Sequence, residues 1–502
     1  MKDEASRRQV SRVPFPFLQL NDDALEHIMD HVSVEDACAL RLCSKQAAQV
    51  ATPRALSCRT VRTVPAVQAR IESILQRAGA GSSPEFVWLV DLTVVPLFEQ
   101  QESPAAFVEV LCRLLSKAPG LQTFSCMACY ALEGEDFSLV GDIASLRSLQ
   151  TLSLFWSSKD VSHWLFRRCY ARKRGGLNCL VHLSVGELDL PGIDLDLTVQ
   201  YAQLRTLVVQ KLSGKLSNLV HVAPNLTHLE IESIEQAAPS KWKGAQQQVA
   251  AFSVLHRWEP LDSVMGRLCD LHRLLPFFKG PIAMRRIVFT DHLVGQEEKC
   301  AAEVLSATQP CCLELRGQEY LPIHRILPSV SRCLFYLELC RPNGEYPWLN
   351  GLLDITKDLP HLLCLDINVR HEDVPNNFHR FSHYFSCKIP GLRFLILTRQ
   401  TKTPRPIDPE QTHVSWKHGD MHGVRFVHHE SPVENWARGR YCEALRLAHA
   451  QRLRAAYRDA SFETRFDVEE RLFPGPLPGG PGLGAGGAKH LDIPWATMTD
   501  ED

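Results

Sequence analysis

Pairs of cysteine and histidine at metal-binding spacing are the residues of this sequence that could most readily do chemistry. Cys126 and Cys129 form a CxxC pair, the spacing at which two thiolates bind zinc. A zinc site of that kind needs a second pair at a suitable distance, and the sequence offers none. His27 and His31 lie four residues apart, but no glutamate follows His27, so the HExxH pattern of zinc proteases is absent. We therefore expect no metal site.

A glycine-rich segment is the candidate for phosphate binding. Residues 482–487 read GLGAGG and fit the GxGxxG pattern. That pattern binds a dinucleotide only where it follows a strand and opens a helix. Here eleven of the fifteen residues in 474–488 are glycine or proline, which indicates a flexible tail. The sequence contains no GxSxG motif and no Walker loop. We therefore expect a protein that is not an enzyme and uses no cofactor.

A recurring tag of leucines organises the middle of the chain. It reads Pro-x-Leu-x-x-hydrophobic-x-hydrophobic, and residues 224–231 are a complete copy. An apolar helical stretch that stops at proline, followed by a short strand with inward leucines, is one turn of a solenoid. The pattern predicts an α/β fold, a leucine-rich-repeat solenoid. Copies with or without the proline begin near positions 89, 121, 149, 180, 204, 226, 284, 334, 362 and 392.

Two intervals between copies are about twice as long as the others. The segment 252–255 is a candidate for a degenerate copy in the first, and 312–315 in the second. A doubly wound sheet is the alternative fold, since its strands also alternate with helices. It does not require the same strand core so many times.

Residues between the tag hydrophobes should form the partner-binding surface, because side chains alternate between the two faces of a strand. A solenoid presents such residues on a long concave face that binds other proteins. The predicted substrate-binding residues are Thr151, Ser153, His182, Ser184, Thr206, His228, Glu230, Cys364, Asp366 and Phe394.

The N-terminal region lacks the tag and instead predicts three short helices. Asn21 or Asp22 can cap the first and Ser33 the second, and the third should end before Pro53. This segment resembles an F-box in Leu20-Asn-Asp-Asp-Ala-Leu25 and in Leu40-Arg-Leu42-Cys43-Ser-Lys45. It differs from the usual F-box in three places: Asn21 replaces a proline, Met29 a phenylalanine, and Gln46 or Ala47 a tryptophan.

The resemblance implies a substrate-recognition subunit of an SCF-type cullin ubiquitin ligase. In such proteins the F-box docks on a Skp-family adaptor, through it on a cullin, and the repeats capture an unknown protein substrate. The residues that match the adaptor-binding face are Leu20, Leu25, Ile28, Met29, Val32, Leu40, Leu42 and Cys43.

Composition and charge argue against nucleic acid and membranes as partners. The formal net charge of −2 gives no overall field toward nucleic acid, and no apolar run is long enough to span a membrane. The N-terminus has no apolar signal region, so we expect the 17 cysteines to be reduced in the cytoplasm or nucleus.

The predicted domains end with a helical cap, because Tyr441, Ala444, Leu445 and Ala448 share a face at helical spacing. The predicted organisation is a disordered tail 1–13, an F-box-like three-helix domain 14–60, a leucine-rich-repeat solenoid 61–430, a C-terminal helical cap 431–473 and a Gly/Pro-rich disordered tail 474–502.

Two other functions stay open from the sequence. The chain could be a leucine-rich-repeat scaffold with no ubiquitin role. It could also hold an enzyme site in the irregular insert 232–283, which contains Trp242 and Trp258. A deep pocket with converging histidine and carboxylate groups would favour the enzyme.

Deletion of residues 474–502 tests the predicted tail. We expect the melting temperature and the binding of a Skp-family adaptor to stay unchanged, because a Gly/Pro-rich segment contributes little to a core. Differential scanning fluorimetry and co-purification would measure both. A large fall in melting temperature would mean that the tail is packed.

Overall fold

The structure is a computed structural model that describes most of the chain between residues 20 and 472. The described residues are 20–62, 88–95, 104–127, 129, 138–161, 165, 177–190, 200–214, 216–235, 257–259, 261–278, 284–290, 297–316, 326–330, 333–340, 359–370, 389, 391–402, 416–428, 440–445, 447–460, 464–465 and 467–472.

The chain forms two compact units, and each is described by itself. The first comprises Met1–Pro310 with Glu314–Val330. The second comprises Cys311–Leu313 with Ser331–Asp502.

The first unit opens with helices whose starts are fixed by capping side chains. Asn21 accepts a hydrogen bond from an amide three residues on at 2.9 Å, and Ser33 and Ser44 do the same at 3.0 Å. These caps satisfy amides that a helix leaves unpaired at its N-terminus. The helices are α1 (Asp22–His31), α2 (Val34–Leu40) and α3 (Lys45–Ser57).

Helix α3 is longer than the sequence predicted. It continues through Pro53 to Ser57, although proline removes one hydrogen bond from a helix interior. Ala51 and Ala55, on either side of the proline, are buried against Met29 of α1. Burial of that face outweighs the lost bond, and it is a long-range effect that local propensity does not record.

The strands of the first unit are parallel and pair in chain order. They are β1 (Cys58–Arg62), β2 (Asp91–Val95), β3 (Thr123–Cys126), β4 (Thr151–Leu154), β5 (His182–Leu190), β6 (Thr206–Gly214), β7 (His228–Ile234), β8 (Ser263–Gly266) and β9 (Arg286–Phe289). Strand β10 (Cys312–Leu315) is divided between the two units.

The tag hydrophobes align into one buried column across these strands. Each lies in register with its neighbour and is at most 3 % exposed. A shift of one residue would turn a strand's hydrophobes toward the opposite face, so the repeated spacing fixes the register. The column consists of Leu92, Phe124, Leu152, Leu183, Leu207, Leu229, Val264 and Ile287.

One strand lies where the sequence pattern was weak. The candidate copy 252–255 lies outside the described residues, and the strand in that interval is β8, at Ser263–Gly266. Its second inward position is Gly266, where an added Cβ would lie 2.8 Å from the Ile231 carbonyl oxygen. Because the neighbouring strand lies so close, the position carries a glycine where other tags carry a larger hydrophobic residue. The tag is therefore not recognisable in the sequence. The other candidate, 312–315, is strand β10 as predicted.

Helices precede several of these strands, as the repeat pattern predicted. They are α4 (Pro104–Ser116), α5 (Ser138–Ile143), α6 (Leu216–Val222), α7 (Leu268–Leu274) and α8 (Glu297–Thr308). Within the ranges given above, no helix is both long enough and apolar enough to span a bilayer.

In the described residues, the second unit contains parallel and antiparallel strands and two helices. Strands β11 to β13 are parallel, whereas β14 runs antiparallel to β13 and to β15. The elements are β11 (Tyr336–Cys340), β12 (Cys364–Arg370), β13 (Phe394–Lys402), β14 (Trp416–His428), β15 (Arg440–Leu445), α9 (Leu447–Asp459) and α10 (Asp467–Leu472).

The predicted helical cap is wrong in its first part. Tyr441, Ala444 and Leu445 lie in strand β15, where Tyr441 pairs with Val427. The edge of β14 would leave a row of backbone groups unpaired, and β15 supplies their partners. The need to pair these backbone groups overrides the helical spacing of the side chains, and the helix begins only at Leu447.

Replacement of one column leucine tests the register. We expect Leu207→Ala to lower the free energy of unfolding by about 2–5 kcal/mol, because it opens a cavity in a fully packed position. Thr206→Ala is the matched control on the opposite face of the same strand, and its effect should be less than about 1 kcal/mol. Urea denaturation measures both, and equal losses would contradict the assigned faces.

Candidate protein-binding surfaces

The turn between α2 and α3 presents a large apolar side chain to solvent. Leu42 is 88 % exposed, and the adjacent Cys43 is also exposed. The turn is fixed by its backbone, because the amides of Leu42 and Cys43 donate to the carbonyls of Ala39 and Leu40 at 3.1 and 3.0 Å. An exposed leucine on an ordered turn is a suitable anchor for a partner.

Of the eight residues predicted for adaptor binding, four belong to the core of the helices or pack against it, and four retain area for a partner. Leu25 and Met29 are 4 % exposed and belong to the core of the helices. Val32 and Leu40 are half-buried and pack against that core. The residues with area left for a partner are the half-buried Leu20 and Ile28 and the exposed Leu42 and Cys43.

The polar row predicted on the strands is assembled in the first unit. Thr151, His182, Thr206 and His228 occupy equivalent positions on consecutive strands and are half-buried. Burial lowers the pKa of His182, which favours its neutral form at physiological pH. The row therefore offers hydroxyl groups and the neutral imidazole of His182 to a partner.

The second predicted row is less accessible. Glu230 is half-buried, whereas Ser153 and Ser184 are only 6 % and 4 % exposed. Neither serine is thus an open contact point, although both lie on strands of the predicted surface.

Ion pairs fill this face at its far end within the first unit. Glu314 is fully buried, and its carboxylate accepts from Arg286 at 2.6 Å and from Arg316 at 3.0 Å. Each oxygen of the carboxylate thus has a cationic partner, and a buried charge needs such pairing.

The prediction of an open surface is wrong for the second unit. Cys364, Asp366 and Phe394 are all 0 % exposed. Leu453 and Tyr457 of helix α9 share a buried cluster with these strands, and the Tyr457 ring lies 5.8 Å from the ring of Phe394. Helix α9 of the same chain therefore covers this part of the sheet.

Two arginine–carboxylate pairs lie in the covered region. Arg454 of α9 donates to both oxygens of Asp366, at 2.5 and 2.7 Å. Arg458, one helical turn further on, donates to Glu338 at 3.1 and 2.5 Å. Asp366 and Glu338 lie directly opposite each other on β12 and β11, so the spacing of the two arginines matches that of two neighbouring strands.

The two carboxyls titrate differently because their balance of burial and charge differs. Burial and the neighbouring Glu338 raise the pKa of Asp366 to about 6, against the lowering effect of Arg454. Burial also acts to raise the pKa of Glu338, but the charge and hydrogen bonds of Arg458 outweigh it and lower that pKa.

Tyr336 links the two carboxyls. Its hydroxyl lies 3.0 Å from Glu338 and 3.0 Å from Asp366, yet it carries only one proton to donate. A proton on Asp366 would satisfy the second contact, in agreement with the raised pKa of that carboxyl.

The sequence did not predict Arg454 and Arg458 as structural residues. The sequence did contain one relevant signal, which is complementary charge. Glu338 and Asp366 occupy the centres of two successive tags, and two arginines four residues apart follow further along the chain. Pairing across 88 and 120 residues cannot be assigned from that pattern alone.

The two cysteines first considered for chemistry are part of the core, whereas His27 and His31 are exposed. Cys126 and Cys129 are 0 % and 2 % exposed. In the described ranges, no three His, Cys, Asp or Glu side chains are grouped so as to hold a metal ion. Trp258 of the insert is also buried, and its indole donates to the Ala223 carbonyl at 2.8 Å, whereas Trp242 lies outside the described residues.

Comparison with known proteins identifies the N-terminal helices. The F-box domain family matches residues 17–55. The region therefore carries an F-box domain, which implies in general a role in binding a Skp-like ubiquitin-ligase adaptor. No curated protein matches the chain.

Seventeen chains of solved structures match, among them one from the crystal structure of the Rad7 and Elc1 complex in yeast. It is 13 % identical, with a TM-score of 0.36, over 71 % of this chain and 91 % of that chain. At this score the likeness is too low to support an assignment of fold or function.

Replacement of Arg454 tests the buried ion pair. We expect Arg454→Met to lower the free energy of unfolding by about 3–5 kcal/mol at pH 8, because it leaves the Asp366 charge buried without its partner. Loss of the arginine raises the pKa of Asp366 further above its unfolded value, so the carboxyl takes up a proton as the pH falls. The loss should therefore be smaller at pH 5.

Urea denaturation at the two pH values measures this dependence. Arg452→Met, at an exposed position of the same helix, is the control and should change stability by less than about 0.5 kcal/mol. An Arg454→Met loss that is the same at pH 5 and pH 8 would contradict the role assigned to Asp366.

Proposed function

We propose that this protein is a substrate-recognition subunit of an SCF-type cullin ubiquitin ligase. The F-box domain at residues 17–55 would dock on a Skp-family adaptor and, through it, on a cullin. The observation that carries the proposal is the combination of that match with the 88 % exposed Leu42 at its α2–α3 turn. Leu42, with Cys43, Leu20 and Ile28, is our proposed adaptor-binding face.

The repeats would be leucine-rich repeats that hold the substrate. The common register of the parallel strands supports this, as does a recurring turn before them. In that turn the first tag leucine donates its amide to a carbonyl three residues earlier, at 3.0–3.4 Å. The tag leucines that share it are Leu121, Leu149, Leu180, Leu204, Leu362 and Leu392.

The substrate would bind on the first unit, because α9 covers the equivalent face in the second. The half-buried row from Thr151 to His228 and the carboxylate of Glu230 are the proposed contact region. In this role the protein performs no bond chemistry and is not an enzyme. It would raise the effective concentration of substrate lysines near the charged ubiquitin enzyme, in the cytoplasm or nucleus.

A protein-interaction scaffold without a ubiquitin role is the second candidate. The substitutions Asn21, Met29 and Gln46 in the F-box favour it, since they change positions where the resemblance expects proline, phenylalanine and tryptophan. Asn21 nevertheless caps α1, so the first of these changes preserves the start of the helix. A folded chain that does not bind the adaptor would favour the scaffold.

Replacement of the exposed leucine separates these functions. We expect Leu42→Asp to weaken the binding of a purified Skp-family adaptor at least about thirtyfold, because it puts a charge into an apolar contact at the centre of the interface. Stability should change little, since the side chain is exposed. Calorimetric titration and thermal unfolding measure the two effects. This variant reports on docking more cleanly than Ile28→Asp, because Ile28 is half-buried.

Gln49→Asp is the matched control, because it introduces the same charge at an exposed position of α3. It should bind the adaptor within about threefold of the unmodified chain. Equal binding by Leu42→Asp and Gln49→Asp would remove Leu42 from the interface. No adaptor binding by the folded unmodified chain would leave the scaffold function in its place.

A further inference from the structure

Two further exposed apolar residues lie in the first unit, just past the carboxyl ends of strands β3 and β4. Trp156 is 59 % exposed and Met127 is 46 % exposed. The amide of Met127 donates to the Val94 carbonyl at 2.9 Å, so this residue continues the ladder just past β3. The backbone of Met127 is therefore fixed at the end of the strand.

The backbone presents Trp156 in a conformation that bulky residues rarely adopt. Its φ is 56°, in the left-handed region, where a tryptophan is strained. Strained residues of this kind persist where the surrounding structure imposes them, and they cluster at functional sites. The observed strain therefore points to a role for the side chain outside the core.

The residues on either side of Trp156 are locked by the neighbouring strands. The Gly186 amide donates to the Ser157 hydroxyl at 3.0 Å, and the Glu187 amide donates to the Ser157 carbonyl at 2.9 Å. A Cβ on Gly186 would lie 2.5 Å from the Ser157 nitrogen, so only glycine allows this approach. The Phe155 amide and carbonyl are also bonded, to Cys126 and Cys129, both at 2.9 Å.

Charged residues lie on the strands that follow Trp156. Gly186 of β5 approaches the Trp156 backbone closely, since an added Cβ there would lie 2.9 Å from the Trp156 carbonyl carbon. The next residue, Glu187, pairs with Lys211 across β5 and β6. Glu187 and the neighbouring Glu235 lie 3.6 and 2.6 Å from the Lys211 ammonium. Two carboxylates thus share one cation, which leaves an excess of negative charge at the ends of the strands that follow Trp156.

We propose that this strand-end surface, formed by Met127, Trp156, Glu187, Lys211 and Glu235, binds an extended, arginine-containing segment of a partner protein. A guanidinium stacks on an indole face and pairs with a carboxylate at the same time, which an ammonium does less well. The surface crosses four strand spacings, about 19 Å, the length of roughly six extended residues. An apolar residue of the segment would lie against Met127.

The assignment deepens the proposed receptor function, since it names the chemistry of the substrate segment. It can be tested without the adaptor. The probes are a fluorescein-labelled hexapeptide Ala-Leu-Arg-Ala-Arg-Ser and two analogues with both arginines replaced by lysine or by glutamate. Fluorescence anisotropy with the full chain gives the affinity of each. We expect the lysine peptide to bind several-fold more weakly and the glutamate peptide not to bind.

Two variants separate binding from structure. Trp156→Asn should weaken the arginine peptide about tenfold or more while the melting temperature stays equal or rises, because asparagine tolerates the left-handed backbone. Glu187→Gln should weaken the peptide about threefold. A merely structural tryptophan would instead lower the melting temperature on replacement and leave peptide affinity unchanged, which would overturn the proposal.

The Leu42→Asp variant keeps the two proposals distinct. Peptide binding that survives in this variant supports the strand-end surface independently of adaptor docking. A chain that binds the adaptor but none of the peptides overturns the surface alone. The chain's own segment 167–174 reads RRCYARKR. Peptide binding that arises only after its five cations are replaced by serine would assign the surface to that segment and overturn the partner proposal.

Discussion

The alternation of strand side chains between two faces is the constraint on which the rest of the structure depends. In the first unit each strand must direct its tag hydrophobes to one buried column, so its register is fixed to the residue. The same alternation directs Thr151, His182 and Thr206 to the other face. The position of the polar row therefore follows from the packing of the core. The side chains in the row can be substituted without any change in the fold.

Burial of charge explains why one part of the outward face is closed. Asp366 and Glu338 are like charges on neighbouring strands, and neither is stable in an apolar environment alone. Helix α9 supplies two arginines at i and i+4 together with the buried ring of Tyr457. The apolar cluster provides the driving force for this contact, whereas the ion pairs mainly set its register, since a buried pair adds little net stability.

Sequence patterns predicted those features that depend on neighbours along the chain. The caps at Asn21 and Ser33 and the strands at the tags required only local spacing. The path of α3 through Pro53 and the pairing of Arg454 with Asp366 depend on contacts between distant residues. Such contacts override local propensity, and a single sequence does not record which residues they join. The burial that removes Leu25 from the predicted docking face is of the same kind.

Exposure alone does not distinguish a binding residue from a by-product of folding, because single apolar residues are common on surfaces. Val181 is 37 % exposed, but its amide belongs to the ladder, and its exposure follows from its strand position. Leu42 and Trp156 differ, since each stands on a turn outside the ladder whose backbone is held by hydrogen bonds. At Trp156 the fold also maintains a strained backbone that glycine or asparagine would relieve. The hydrogen bonds of Phe155 and Ser157 impose that backbone, and a bulky, largely exposed tryptophan at such a position is the feature that the proposed contact with a partner explains.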